Sequence, residues 1–173
     1  SEKILSFLRP GVYQFLSQLS TFAEVVIFTA GDPEYASPLV ACLDPDEKNV
    51  AASLFRESTV KTVFHDHVKD LSRLGRDPRY TVLVDNNPFS FLFQPDNGVL
   101  CEPFYGDPTD QHLHQVLMPL LKILACVNDV RPILRRRSDQ RSLICHLRVS
   151  VGIIWRDGAV AFLGSKWRHC NNK

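Results

Sequence analysis

Apolar residues recur at Val12, Phe15, Leu16 and Leu19, three or four positions apart and just after Pro10, which predicts an amphipathic helix with proline near its start. Glu24 then leads into Val25-Val26-Ile27-Phe28, a continuous and mostly β-branched run that suits a strand buried on both faces of a parallel sheet. Asp32 offers an N-cap oxygen, Pro33 suits the first helical position and Glu34 puts an acid in the first turn, so a second helix is expected there. Thr29-Ala30-Gly31 becomes the turn between strand and helix. Residues 49–67 break into short pieces, Ala52-Ser53-Leu54-Phe55 and Val60-Lys61-Thr62-Val63-Phe64, which read as a small antiparallel insertion. Tyr80-Thr81-Val82-Leu83-Val84-Asp85 is a second buried strand, stopped by Asn86-Asn87-Pro88 because proline cannot donate to a ladder. Asn97-Gly98 marks a turn. Leu113, Val116, Leu117, Leu120, Leu121 and Leu124 form a helical stripe, opened at Asp107-Pro108 or Asp110 and bent at Pro119. Strands alternating with helices predict an α/β fold with a doubly wound parallel sheet.

Composition changes this picture mainly at the C-terminal end. The 173 residues, 45% hydrophobic, suffice for one core plus an appendage. Residues 1–134 hold 11 Lys/Arg against 17 Asp/Glu, and residues 135–173 hold 9 against 2, so a body of about −6 meets a tail of about +7 at Arg135-Arg136-Arg137. A domain at 1–134 followed by a basic divergent tail at 135–173, standing outside the core, is the expected division. Five widely spaced cysteines without a C-x-x-C pair indicate neither a disulfide framework nor a zinc ribbon. No apolar run approaches the roughly 20 residues of a membrane span, so no membrane partner is expected. The only methionine is Met118, so a processed or truncated chain is expected.

Candidate chemistry gathers where open α/β sheets bind ligands, beyond the carboxyl ends of the strands, because helix N-termini present free N–H groups there. Thr29 follows the first strand, and its hydroxyl either binds a phosphate oxygen with the turn amides or simply ends the strand. Asp85-Asn86 follows the second, and its hard oxygens suit Mg²⁺, although Asp-Asn before proline is also ordinary turn chemistry. Lys69 lies between them in the chain; a lysine is usually a solvated charge, but one aimed at the same edge would neutralise a phosphate and its attacking carboxylate. Their order, strand then Thr, Lys, strand then Asp-Asn, favours the functional readings together.

Arg9-Pro10-Gly11, Phe28-Thr29-Ala30 followed by Tyr35-Ala36, Phe55-Arg56-Glu57-Ser58, Val68-Lys69-Asp70-Leu71 and Val84-Asp85-Asn86-Asn87-Pro88 together resemble the small C-terminal-domain phosphatases, the NLI-interacting-factor-like domains of the haloacid dehalogenase superfamily. The resemblance runs from residue 7 to Leu134 and leans toward a plant-type version, with Thr-Ala-Gly and Asp-Asn-Asn-Pro-Phe-Ser-Phe-Leu. It implies a Mg²⁺-dependent phosphatase acting on phosphoserine or phosphothreonine in proteins, the RNA polymerase II tail among the candidates, through an aspartyl-phosphate intermediate. It also implies a nuclear or cytoplasmic location and no direct contact with nucleic acid. By motif match Thr29 binds the phosphate, Lys69 stabilises phosphate and nucleophile, Asn86 ligates Mg²⁺, and Asp85 orients Lys69 and the metal shell. Arg56, in the substrate-side insertion, is the candidate contact to the phosphopeptide, since guanidinium forms bidentate bonds to phosphate.

One departure is serious. The family opens with a central strand ending in Asp-x-Asp-x-Thr, whose first aspartate attacks phosphorus while the second acts as general acid and base. These residues contain no such strand; the one Asp-x-Asp, Asp44-Pro45-Asp46, reads as a helix-terminating turn. The expectation is therefore a chain inactive by itself, with a sheet lacking its central strand. Alternatives are a non-catalytic phosphopeptide-binding module and a relative of the mitochondrial import receptors. In the tail, Cys145-His146 and His169-Cys170 match no zinc spacing, and the basic run with two tryptophans reads as a divergent segment rather than a nucleic-acid or acidic-partner site.

Overall fold

The computed structural model of the chain describes residues 8–141, with side chains for residues 8–137, and the backbone of Ile153–Trp155. The Cys-His and His-Cys pairs of the tail lie outside these residues. Helix α1 (Val12–Leu19) buries Val12, Phe15, Leu16 and Leu19, the four residues its periodicity selects. Burial of each is worth about 1.5–3 kcal/mol. Its N-cap, Gly11, sits at φ 75, and a side chain there would meet the His114 ring, with a Cβ only 2.3 Å from Nε2. Glycine is required on both counts.

After α1 the chain extends through β1 (Ala23–Glu24), buried Val25 and β2 (Val26–Phe28). Helix α2 (Pro33–Leu43) then crosses over to β3 (Ala52–Leu54), which pairs in parallel with β2 in the register Val26↔Ala52 to Phe28↔Leu54. Here the expectation of an antiparallel insertion over residues 49–67 is corrected for its first part. A fully buried β2 needs a partner on its outer edge, and a helix-length connection returns the chain in the parallel sense. Antiparallel pairing survives only as the isolated Val60↔Val68 bridge, closed by a turn in which Thr62 Oγ1 accepts from the amides of Phe64 and His65. Asp44 closes α2: its carboxylate accepts from Asn49 N at 2.7 Å, Val50 N at 2.8 Å and Asn49 Nδ2 at 2.9 Å, so Asp44-Pro45-Asp46 is the expected terminating turn.

Strand β4 (Thr81–Asp85) is buried along its whole length and pairs in parallel with β5 (Gly98–Leu100). The long C-terminal helix is not continuous. A π-helical turn at Leu113–Leu117 runs into α3 (Met118–Leu124), with Pro119 in its first turn. Lacking an N–H, Pro119 leaves the Gln115 carbonyl without its helical partner, and the turn before it widens. The register shifts with it: Met118 is buried and Val116, expected in the stripe, only half so.

Helix α4 (Arg131–Arg141) runs through the division expected at Arg135, where Arg135 pairs with Asp96. Strand β6 (Ile153–Trp155), from the segment expected to stand outside the core, lies antiparallel between β1 and β4 and gives the order β1-β6-β4-β5. No helix among the described residues is long and apolar enough to cross a membrane.

Candidate functional site

Strand β4 carries Asp85 at its carboxyl end, 0% exposed. One oxygen, Oδ1, accepts from Asn87 N at 2.6 Å, which bends the chain away from the sheet, and the other, Oδ2, accepts from Lys69 Nζ at 2.9 Å. Lys69 reaches this point because the Val60↔Val68 bridge fixes the residue before it and its own amide donates to Ser90 O at 2.8 Å. Its ammonium also lies 5.9 Å from the centroid of the Phe28 ring, the residue preceding Thr29. The charge is thus set between the carboxyl ends of β2 and β4. Both charges leave water, so the pair costs desolvation that its mutual attraction, the Asn87 N–H bond to Asp85 and the Phe28 ring beside Lys69 together offset.

Asn86 is 3% exposed, and its Nδ2 is a buried side-chain polar atom without a hydrogen-bond partner. Leaving such a donor unpaired costs about 1–3 kcal/mol. In this pose the amide offers a proton to an oxygen ligand; turned by 180° about its last bond it offers Oδ1 to a hard cation. Among the described residues no group of three or more His, Cys, Asp or Glu side chains is placed to hold a metal ion. Asp85 and Asn86 are hard oxygen donors, one carboxylate and one amide, of the kind Mg²⁺ takes.

Thr29 stands at the end of β2, where its N–H continues the ladder to Leu54 O at 2.8 Å. Its hydroxyl accepts from Gly31 N at 3.0 Å and so folds the Thr29-Ala30-Gly31 turn. Asp32 occupies the N-cap of α2 without the expected side-chain cap bond. Its carboxylate turns instead to Arg56, 2.7 Å from the guanidinium, while Arg56 Nε donates to Ala30 O at 2.6 Å and Arg56 N to Gly31 O at 3.0 Å. Arg56 thus braces the turn after Thr29 and keeps a half-exposed guanidinium. The structure brings Lys69 and Asp85 together with Asn86 beside them, and Thr29 and Arg56 together on the neighbouring turn.

Several supporting residues escape the sequence reading. Asn87 does more than precede a proline: besides the amide bond to Asp85, its Oδ1 accepts from Phe89 N at 3.1 Å and its Nδ2 lies 3.2 Å from His65 Nε2. Asx-turn chemistry before Pro88 is the signal that could have found it. Gln94 has no such signal, because its bonds to Leu71 N at 3.0 Å and Asp70 Oδ1 at 2.9 Å span more than twenty residues. Asp70 caps the turn after Lys69 by accepting from Ser72 N. Burial alone would raise its pKa, but the bonds from Ser72 and Gln94 outweigh it and hold the carboxyl below the usual range. Behind Asp85, Cys101 donates its amide to Asp85 O at 3.0 Å; burial, then the nearby carboxylate, pushes its thiol up to about 12. It stays a neutral wall of the site.

A family model described as NLI interacting factor-like phosphatase matches residues 1–131. CTD small phosphatase-like protein 2 of Dictyostelium discoideum is 43% identical over 136 residues, 79% of this chain and 24% of that protein. Carboxy-terminal domain RNA polymerase II polypeptide A small phosphatase 1 of Homo sapiens is 42% identical over 130 residues, 74% of this chain and 48% of that protein. Mitochondrial import inner membrane translocase subunit TIM50 of Kluyveromyces lactis is 37% identical over 139 residues, 78% of this chain and 28% of that protein. The chain thus spans between a quarter and a half of the length of these relatives.

Proposed function

Because the chain belongs to the NLI interacting factor-like phosphatase family, we propose that it forms the phosphate-handling part of a haloacid-dehalogenase-like, Mg²⁺-dependent protein serine/threonine phosphatase, inactive as these 173 residues stand. The observation that carries the reading is the buried Lys69–Asp85 pair beside the unpartnered amide of Asn86. A buried cation at the carboxyl ends of the strands, beside an amide that can turn its oxygen to a metal ion, suits a phosphate and its counter-ion better than packing.

In this reading Thr29 and the amides after it bind the phosphoryl oxygens. Lys69 offsets the charge of the phosphate and of an attacking carboxylate, and Asp85 holds Lys69 in place. Asp85 and Asn86 hold Mg²⁺, which when bound stabilises negative charge building on the phosphoryl oxygens. Arg56 presents the free side of its guanidinium to the phosphopeptide. No residue of the chain matches the family's Asp-x-Asp-x-Thr, so nothing here accepts the phosphoryl group as an aspartyl phosphate. The substrate class is a phosphoprotein, with the RNA polymerase II tail among the candidates, and the location nuclear or cytoplasmic. Two other readings are a non-catalytic phosphopeptide-binding module and a relative of the mitochondrial import receptors, the latter favoured by the likeness to the translocase subunit.

Hydrolysis of an aryl phosphate and of a phosphoserine peptide with Mg²⁺ tests the choice. The chain alone is compared with the chain extended at its N-terminus by a strand ending in Asp-x-Asp-x-Thr, and with the extended chain carrying Lys69→Ala or Asn86→Ala. Activity should appear only on extension, and each substitution should lower it at least about tenfold. Robust turnover by the unextended chain overturns the nucleophile argument; a folded, extended, inactive chain favours the binding reading.

A further inference from the structure

Lys69 and Asp85 stand 16 residues apart in the chain, and their ion pair is one of two ties between the segments that carry them. His65 makes the other. Lys69 follows directly on the hairpin closed by the Val60↔Val68 bridge, and His65 sits in its turn, where its N–H donates to Thr62 Oγ1 at 3.0 Å. Opposite stands Asn87, two residues beyond Asp85, with Nδ2 3.2 Å from His65 Nε2. The His65 ring also stacks on Phe89, centroids 5.9 Å apart and planes at 27°. Residues 65–69 and 85–87 therefore form a loop closed at both ends, by the buried Lys69–Asp85 pair inside and by half-buried His65 and Asn87 outside. A single contact fixes a separation; two fix an orientation.

The direction of the outer bond follows from its partners. The Phe89 N–H can only donate, and it lies 3.1 Å from Asn87 Oδ1. That sets the amide with its oxygen toward Phe89 and its NH2 toward His65, so Nε2 must accept and the ring proton sits on Nδ1. The same Asn87 gives its backbone N–H to Asp85 Oδ1 at 2.6 Å, while Lys69 Nζ donates to Oδ2 at 2.9 Å. Turning Asn87 turns the carboxylate, and with it an ammonium carried on a flexible four-carbon stem.

We propose that His65 is a positioning residue of the Lys69–Asp85 site: its Nε2 holds the Asn87 side chain, and through the Asn87 N–H it aims the Asp85 carboxylate at Lys69. It acts at one remove, as groups behind a site's contacting residues do. Its bearing on phosphate rests on the proposed function; the clasp itself does not.

The isotope-labelled full chain tests this in two ways. In wild type, in alkaline buffer where imidazoles are neutral, long-range proton–nitrogen spectra should place the His65 ring proton on Nδ1. A proton on Nε2 overturns the proposal. Amide exchange then compares His65→Phe, which keeps a ring against Phe89 without the acceptor, with His65→Gln, whose amide oxygen restores the acceptor without the ring. In His65→Phe the Asn87 amide should exchange about three- to tenfold faster, the loss of one neutral hydrogen bond, while the amides of Phe15 and Cys101 keep wild-type rates. His65→Gln should stay within about twofold of wild type throughout. Titration with inorganic phosphate follows the consequence for the site: half-saturation should rise about three- to tenfold in His65→Phe and return in His65→Gln. Wild-type exchange at Asn87 in His65→Phe, or equally fast exchange in both variants, sinks the clasp. A wild-type chain that shows the exchange pattern but binds no phosphate supports the clasp and counts against the phosphatase reading.

Discussion

Lys69 Nζ and Asp85 Oδ2 lie 2.9 Å apart with side chains 2% and 0% exposed, so neither charge has water as an alternative partner. Lys69→Met leaves the Asp85 carboxylate buried without its cation. Removing one member of such a pair costs about 3–5 kcal/mol, a large share of a natural stability of about 5–15 kcal/mol. Asp85→Asn keeps an oxygen for Asn87 N and removes the charge, so the double variant Lys69→Met/Asp85→Asn should recover more than half of the loss. Urea unfolding of the four proteins measures the coupling; additive losses would mean that the two charges do not depend on each other.

His67 gives the fold a pH dependence near neutrality. Burial, then the nearby Arg56 and His65, lowers its pKa below 6.5, with Asp66 opposing the shift and Lys61 adding to it. Its Nδ1 lies 3.1 Å from Thr59 Oγ1, beside the bridge that positions Lys69. Since the folded value is the lower one, the unfolded chain binds more protons in the window between them, and stability rises with pH there. The contribution is fully present above about pH 6.5 and is lost as pH falls toward the folded value. Urea midpoints should fall between about pH 7.5 and 5.5 by a margin that His67→Gln reduces, while an unchanged slope would remove His67 as the cause.

Gly98 opens β5 where a Cβ would stand 2.5 Å from Phe91 Cδ2. Gly98→Ala should therefore cost about 1–3 kcal/mol through overpacking, and Phe91→Leu in the same chain should return part of it. Thermal unfolding of the single and double variants decides. If Gly98→Ala is neutral, the Phe91 ring yields without strain.

What was legible in the sequence is what local pattern can carry. The stripe Val12, Phe15, Leu16, Leu19 and the apolar runs ending at Phe28 and Asp85 depend on neighbours a few residues away, and the structure keeps them as α1, β2 and β4. Thr29 and Asp85-Asn86 could be picked out because each ends such a run, and Lys69 because it lies between them in the chain. Strand direction was not legible for Ala52–Leu54, since short apolar pieces read alike in either sense and only pairing with β2 decides. The π-turn before Pro119 was missed because a proline announces a disturbance and not its geometry. β6 was missed because its pairing partners lie some seventy and a hundred and thirty residues away, and its basic surroundings spoke for a surface tail.

Arg56 is where bracing and binding can be separated. Its guanidinium is shared between Ala30 O and Asp32, with side chains of Arg56 and Asp32 47% and 56% exposed, so the ion pair itself contributes at most about 1 kcal/mol. A phosphate would compete with Asp32 for the same donors. On the proposed function, Arg56→Ala should weaken binding of a phosphoserine peptide about tenfold, the loss of a charge-assisted bond. Asp32→Asn frees the guanidinium and should tighten binding about two- to fivefold, the equivalent of the released pair. The decisive protein is the double variant. If Asp32 acts through Arg56, Asp32→Asn changes nothing once Arg56 is alanine; if binding still tightens, Asp32 merely repels the phosphate. Calorimetric titration of the four proteins with one peptide reads the cycle. Wild-type affinity in Arg56→Ala would leave Arg56 as a brace of the turn after Thr29 and nothing more.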